Sequence, residues 1–433
     1  MQFSGDKHIK KEKIAFPKNF FWGAATSSHQ VEGGTHNNWS EWEKKNANRL
    51  AKEAGDNWNL WQKAHFPEMF EAKNYISGKA CDHFNRFSND FSIAKKLGHN
   101  AHRFSIEWSR IEPKEGVFDK KAIEHYKQVL RDLRAKGITP FVTLWHWTNP
   151  LWLTEMGGEE NRKFGRYFSR YASHVVRELG AYADFWITLN EPTSVIGSAY
   201  MKGAWPPQKK DIFSVIRVFK NLSRAHKLSY DEIHRIQPTA KVGFSNISMY
   251  IEPFHRFSPL DRIMARIVRH FANKEFLNLT HGKNDFLAVQ YYFHKLAKFP
   301  RGLSDGSGIT SDLGWEICPK GIYYILKKMK KYNLPVYVTE NGLADADDSR
   351  RAAFIKNHLY WVHKAISEGV DVRGYFYWSL LDNFEWDKGF WPRFGLVEVD
   401  FLTMERKIRP SAWEYAKICK NNGFEMIVKN RHI

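Results

Sequence analysis

Eight short apolar runs, each followed by a stretch with helical spacing, recur along this chain, and no other feature restricts its fold as much. The runs lie at 20–26, 101–106, 140–144, 185–190, 242–246, 286–292, 336–342 and 372–378. They are apolar on consecutive residues rather than on alternate ones, so both faces of each strand need cover, as in a parallel sheet packed beneath helices. Between the runs, apolar residues return every three or four positions, as in Ile123, Tyr126, Leu130 and Leu133, or Ile355, Leu359, Val362 and Ile366. This alternation predicts a single closed (β/α)8 barrel spanning residues 1–433. An open doubly wound sheet is the alternative, but no glycine-rich phosphate loop follows the first run. Segment 37–82 is polar and aromatic and fits no element; it is expected to be a long loop with short helices near one end of the core.

Two of the runs end alike. Residues 185–190 lead into Asn190 and Glu191, and residues 336–342 contain Glu340, Asn341 and Gly342. Each strand delivers one glutamate beside an amide. Two carboxylates on a rigid scaffold are suited to cleaving a glycosidic bond, one as proton donor and the other as nucleophile or as base for a water. In a barrel the reactive groups gather where the strands end, and those ends also carry Arg103, His146, Asn246, Tyr292 and Trp378.

Composition narrows the setting. The first thirteen residues are polar and lysine-rich, without the apolar segment of a secretory signal, and no apolar stretch approaches membrane-spanning length. Cys81, Cys318 and Cys419 are odd in number and far apart, which suggests neither a disulfide framework nor a zinc site. A cytoplasmic protein without metal, cofactor or membrane partner is expected. The formal charge of +19 raises nucleic acid as a partner. The basic residues are dispersed, however: Lys327, Lys328, Lys330 and Lys331 lie in one helical pattern, and Arg262, Arg266 and Arg269 in another. They are read as solvated helix faces, with no nucleic acid expected.

Several motifs occur together: FFWGAATSSHQVEG at 20–33, RFSIEWSRIEP at 103–113, TLNEP at 188–192, VTENG at 338–342, WSLLDNFEW at 378–386 and RFGLVEVD at 393–400. In this order the chain resembles glycoside hydrolase family 1, the β-glucosidase and β-galactosidase family. The resemblance implies a retaining enzyme for small β-glycosides in which Glu340 is the nucleophile and Glu191 the acid and base. It further implies that Arg103 and Tyr292 support Glu340 and that Asn190 meets the sugar 2-hydroxyl. Gln30, His146, Glu385 and Trp386 would hold the other hydroxyls over a floor of Trp378. Trp147, Asn246 and Trp315 would line the aglycone side. Gln290, Asn149 and Gln208 depart from the family's usual Asn, Leu and Gly, and bear on the pocket wall.

Overall fold

Hydrogen bonding joins the eight predicted strands into a ring. The protein is described by a computed structural model covering residues 9–429. Most of the lysine-rich start, residues 1–8, lies outside the described residues, as do 430–433. The strands are β1 (Phe21–Ala25), β2 (Ala101–Ser105), β3 (Thr139–Trp145), β4 (Phe185–Asn190), β5 (Lys241–Ile247), β6 (Leu287–Gln290), β7 (Val336–Gly342) and β8 (Val372–Trp378). Each pairs in parallel with the next, and β8 returns to β1, which closes the barrel.

A helix follows every strand: α1 (His83–Lys96), α2 (Lys120–Ala135), α3 (Phe164–Leu179), α4 (Ile212–Ile236), α5 (Pro259–Asn273), α6 (Pro319–Met329), α7 (Arg351–Ser367) and α8 (Pro410–Asn421). The predicted stripe of α3 is buried at Phe164, Phe168, Tyr171, Val175 and Leu179. The Asp119 carboxylate caps α2 by accepting the Lys121 and Ala122 amides at 2.7 and 3.0 Å, and Gly137, at φ +68°, ends it.

Rings fill the barrel interior. Phe141 stacks on Phe185 with centroids 4.1 Å apart, and Phe21, Tyr337 and Phe376 meet Phe141 at 5.4, 5.3 and 4.8 Å. Burying each ring contributes roughly 1.5–3 kcal/mol. Gly374 makes room for this plug, since a β-carbon there would come within 2.9 Å of that of Phe21. The barrel is therefore a packed core rather than a pore, and in such barrels the chemistry sits at the end where the strands stop.

Segment 37–82 differs from expectation. It contains a twenty-residue helix, Asn38–Asn57, opened by a reciprocal cap between Asn37 and Ser40. The apolar face of that helix is made of Trp39, Trp42, Ala47, Ala51 and Ala54. Alanines carry little hydropathic contrast, so the helical period is muted in sequence. A second difference lies beyond β5 and β6, where Tyr250–Pro253, His294–Lys298 and Gly302–Ser304 form a three-stranded sheet under α5. The described ends of the chain also pair, Ile9–Ala15 running antiparallel to Gly423–Lys429.

Candidate active site

Both glutamate-bearing strands lose regular pairing just before the carboxylate. On β7 the register slips between Val338 and Glu340 against β6 and between Val338 and Asn341 against β8. On β4 it slips between Ile187 and Asn190. Such irregularities re-aim side chains, and here strict alternation gives way where the reactive groups begin. Gly342 permits β7 to run against β8 at this level, because a β-carbon would sit 1.8 Å from the Trp378 carbonyl oxygen. Glu191 has left-handed backbone at φ +40°, as do Trp147 and Trp386 at +74° and +52°. For a non-glycine residue this costs roughly 1–2 kcal/mol, which the surrounding structure must offset.

Glu340 sits in a ring of donors. Its Oε1 accepts from Arg103 Nη1 and, at 2.6 Å, from Gln290 Nε2; its Oε2 accepts from the Tyr292 hydroxyl at 2.8 Å. Arg103 is fully buried, and its Nε donates to Thr143 at 3.1 Å while its other arm donates to Asn190 Oδ1. Gln290 also donates to that oxygen at 2.8 Å. With Oδ1 occupied twice, the Asn190 amide nitrogen must donate, and it meets His146 Nε2 at 3.0 Å. The imidazole proton therefore resides on Nδ1, which is buried and without a partner. Burial, with the Arg103 charge, holds His146 well below its usual range, so the ring stays neutral.

Glu191 is equally buried but nearly bare. Its Oε2 accepts from the Ser194 hydroxyl at 2.7 Å, and its Oε1 has no partner. Burial pushes this carboxyl well above the usual range, and the Glu340 charge pushes it further. Burial raises Glu340 too, but there Arg103, Tyr292 and Gln290 act in the opposite direction. The net effect raises both carboxyls, Glu191 well above the usual range and Glu340 less far, so Glu191 is the readier of the two to hold a proton.

An aromatic wall completes the pocket. Trp386 lies nearly parallel to both His146 and His29, at 6.0 and 5.5 Å, and meets Trp147 at 4.8 Å. Trp378 faces His146 at 6.1 Å, and Trp147 Nε1 donates to the Asn190 carbonyl at 2.8 Å. Gln30 donates to Asn383 at 2.9 Å and to Glu385 at 3.4 Å. Burial, together with the charges of Asp387 and Glu340, raises the Glu385 carboxyl to about 8. Trp315 packs at 6.0 Å from Tyr292. Asn246, next to last in β5, has its Oδ1 buried and unpartnered. The residues predicted from sequence therefore converge on the strand-end face. Among the described residues, no group of three or more His, Cys, Asp and Glu is disposed to hold a metal ion.

Some participants were not assigned from sequence. Gln290, which in sequence is only a departure from the family's usual Asn, touches both Glu340 and Asn190. Its position at a strand end beside Tyr291 and Tyr292 was the available signal. Glu43 emerges only in three dimensions: it accepts from Ser77 at 2.7 Å and faces His29 Nε2 at 2.6 Å, behind Trp386. Trp205 is another, 4.8 Å from Trp147 and bonded to Asp387 at 2.9 Å. The other departures are structural contacts. Asn149 links Trp145 and Glu159 at 3.0 and 2.7 Å, and Gln208 accepts from Trp42 at 2.9 Å.

Comparison with known proteins gives a consistent result. The family model described as Glycosyl hydrolase family 1 matches residues 12–295 and 270–424. The chain is 37% identical to Beta-glucosidase A of Thermotoga maritima, over 95% of this chain and 99% of that protein. A solved beta-glycosidase from Pyrococcus horikoshii superposes with a TM-score of 0.84 at 35% identity, covering 95% of this chain and 96% of that one. The Thermotoga maritima beta-glucosidase in complex with noeuromycin does so at 0.82 and 32%, covering 95% and 100%.

Proposed function

Because the chain belongs to glycosyl hydrolase family 1 and is a glycoside hydrolase of the β-glycosidase type, we propose that it hydrolyses small β-glucosides, and also galactosides or fucosides, with retention of anomeric configuration. The reading is carried by one observation, the unequal surroundings of two equally buried glutamates. Glu340, ionised and oriented by Arg103, Tyr292 and Gln290, attacks the anomeric carbon. Glu191 gives its proton to the glycosidic oxygen, so the aglycone leaves as an alcohol and a glycosyl ester on Glu340 remains. Glu191, now a carboxylate, takes a proton from water. The water oxygen bonds to the anomeric carbon and Glu340 is released.

The sugar is held in this reading by Gln30, Glu385, Trp386 and the unpartnered Nδ1–H of His146, with Trp378 beneath it and Asn190 at the 2-hydroxyl. A donor already in place for a hydroxyl needs no reorganisation when charge develops. Trp147, Asn246 and Trp315 face the aglycone. A sugar in place of water at the second step gives transglycosylation through the same intermediate. No helix among the described residues is long and apolar enough to cross a membrane. Three free cysteines, two of them buried, suit the reducing cytoplasm to which we assign the protein.

Proton NMR of the enzyme acting on a nitrophenyl β-glucoside tests the proposal. β-Glucose is expected first, before mutarotation. Initial α-glucose would mean inversion and remove Glu340 from the nucleophile's role. Absence of turnover on glucoside, galactoside and fucoside alike would favour a carbohydrate-binding relative of the same fold.

A further inference from the structure

Helix α5 presents its apolar stripe to solvent. Leu260, Ile263, Ile267 and Phe271 recur at helical spacing and are 53, 53, 52 and 59% exposed, and Phe257 just before the helix is 87% exposed. The adjoining side of α5 already packs: Ala265, Met264 and Val268 lie against Ile251 and Ala297 of the small sheet. The stripe is thus apolar surface beyond what the fold uses, and contiguous patches of this kind mark interaction sites. Arg262 and Arg266 flank it along one side. The neighbouring acids are engaged elsewhere: Asp261 holds the His255 and Phe299 amides, Glu275 faces His270, and Asp305 pairs with Lys295.

A second exposed apolar patch lies on α4. Ile212, Phe213 and Ile216, in the first turns of α4, are 60, 72 and 47% exposed. Phe219 of α4 meets Phe276, in the short helix directly after α5, with centroids 5.6 Å apart. This second patch lies in the first turns of the helix that follows β4, toward the end of the barrel where the strands stop.

From this arrangement we infer that the α5 face docks onto an anionic lipid surface. An amphipathic helix with aromatic and aliphatic side chains beside arginines lies flat in the interface, its apolar face among acyl chains and its cations at the headgroups. The charge of +19 adds long-range attraction to such a surface. A second copy is a poorer occupant, because a two-fold contact would bring these arginines toward their own counterparts. A nucleic acid would neutralise the arginines but leave the stripe in water.

Co-sedimentation of the full chain with vesicles at about 0.1 M salt is the test. Vesicles of equal parts phosphatidylglycerol and phosphatidylcholine should carry the protein down, and pure phosphatidylcholine should not. Arg262→Gln with Arg266→Gln should weaken that partition about thirtyfold, and Ile263→Asp with Ile267→Asp at least about tenfold. Both double variants should unfold at the wild-type temperature, since the altered side chains are exposed. Failure to sediment with anionic vesicles, or undiminished binding by both variants, would overturn the inference. So would a dimer in light scattering that Ile263→Asp with Ile267→Asp dissociates, or retention on DNA without vesicle binding.

Discussion

The ends of β4 and β7 are built from the same parts and made chemically unlike by their surroundings. Each is a buried apolar strand with a slipped register and a glutamate 4% exposed at or just past its end. The carboxylate on β7 accepts three side-chain donors, one of them a guanidinium, whereas the one after β4 accepts a single hydroxyl. Burial penalises the charged form at both sites, so the donors decide which carboxyl stays ionised. In the mechanism we propose, two identical side chains thereby take opposite tasks.

The most severe way to break this comparison is to neutralise the ionised partner. Glu340→Gln should lower kcat on a nitrophenyl β-glucoside by at least about 10⁴-fold, and wild-type turnover in that variant would remove the nucleophile. Removing the bare partner should cost less, on the order of 10²–10⁴-fold for Glu191→Ala. Azide should restore much of that rate on an activated leaving group and yield the β-glycosyl azide.

The pH profile tests the same asymmetry without mutation. kcat/KM should fall at high pH as the raised Glu191 loses its proton, and at low pH as Glu340 gains one. The alkaline limb should vanish in Glu191→Gln, and a limb that persisted would have to be assigned elsewhere. Tyr292→Phe removes one donor from Glu340. A lost bond to a charged group of about 1.5–3 kcal/mol corresponds to roughly 10–150-fold in kcat, with the acid limb moved upward because the ionised form is less favoured. Gln290→Asn retracts the amide by one methylene. About a tenfold loss in kcat is expected, on the scale of one hydrogen bond, again with an upward shift of the acid limb. A change confined to KM would mean that Gln290 reads only the substrate.

Much of this was legible in one dimension because the signals are local. Apolar strands, helix stripes such as that of α3, and the amide–glutamate pairs at 190–191 and 340–341 depend on neighbours a few residues apart. The helix at Asn38–Asn57 was hidden by its alanine-rich face. Gln290 escaped assignment because its partners, Asn190 and Glu340, lie 100 and 50 residues away.

The eightfold alternation, the two strand-end glutamates and most of the side chains around them follow from the order of residues alone, since covalent order and periodicity specify which residues lie at each strand end. The unequal surroundings of the two glutamates, and which helix face meets solvent, come from the three-dimensional packing alone. Both depend on what packs against a residue from elsewhere in the chain: three donors from β2 and from the end of β6 oppose the effect of burial on Glu340, and a small sheet beneath α5 covers one apolar side and leaves its neighbour exposed.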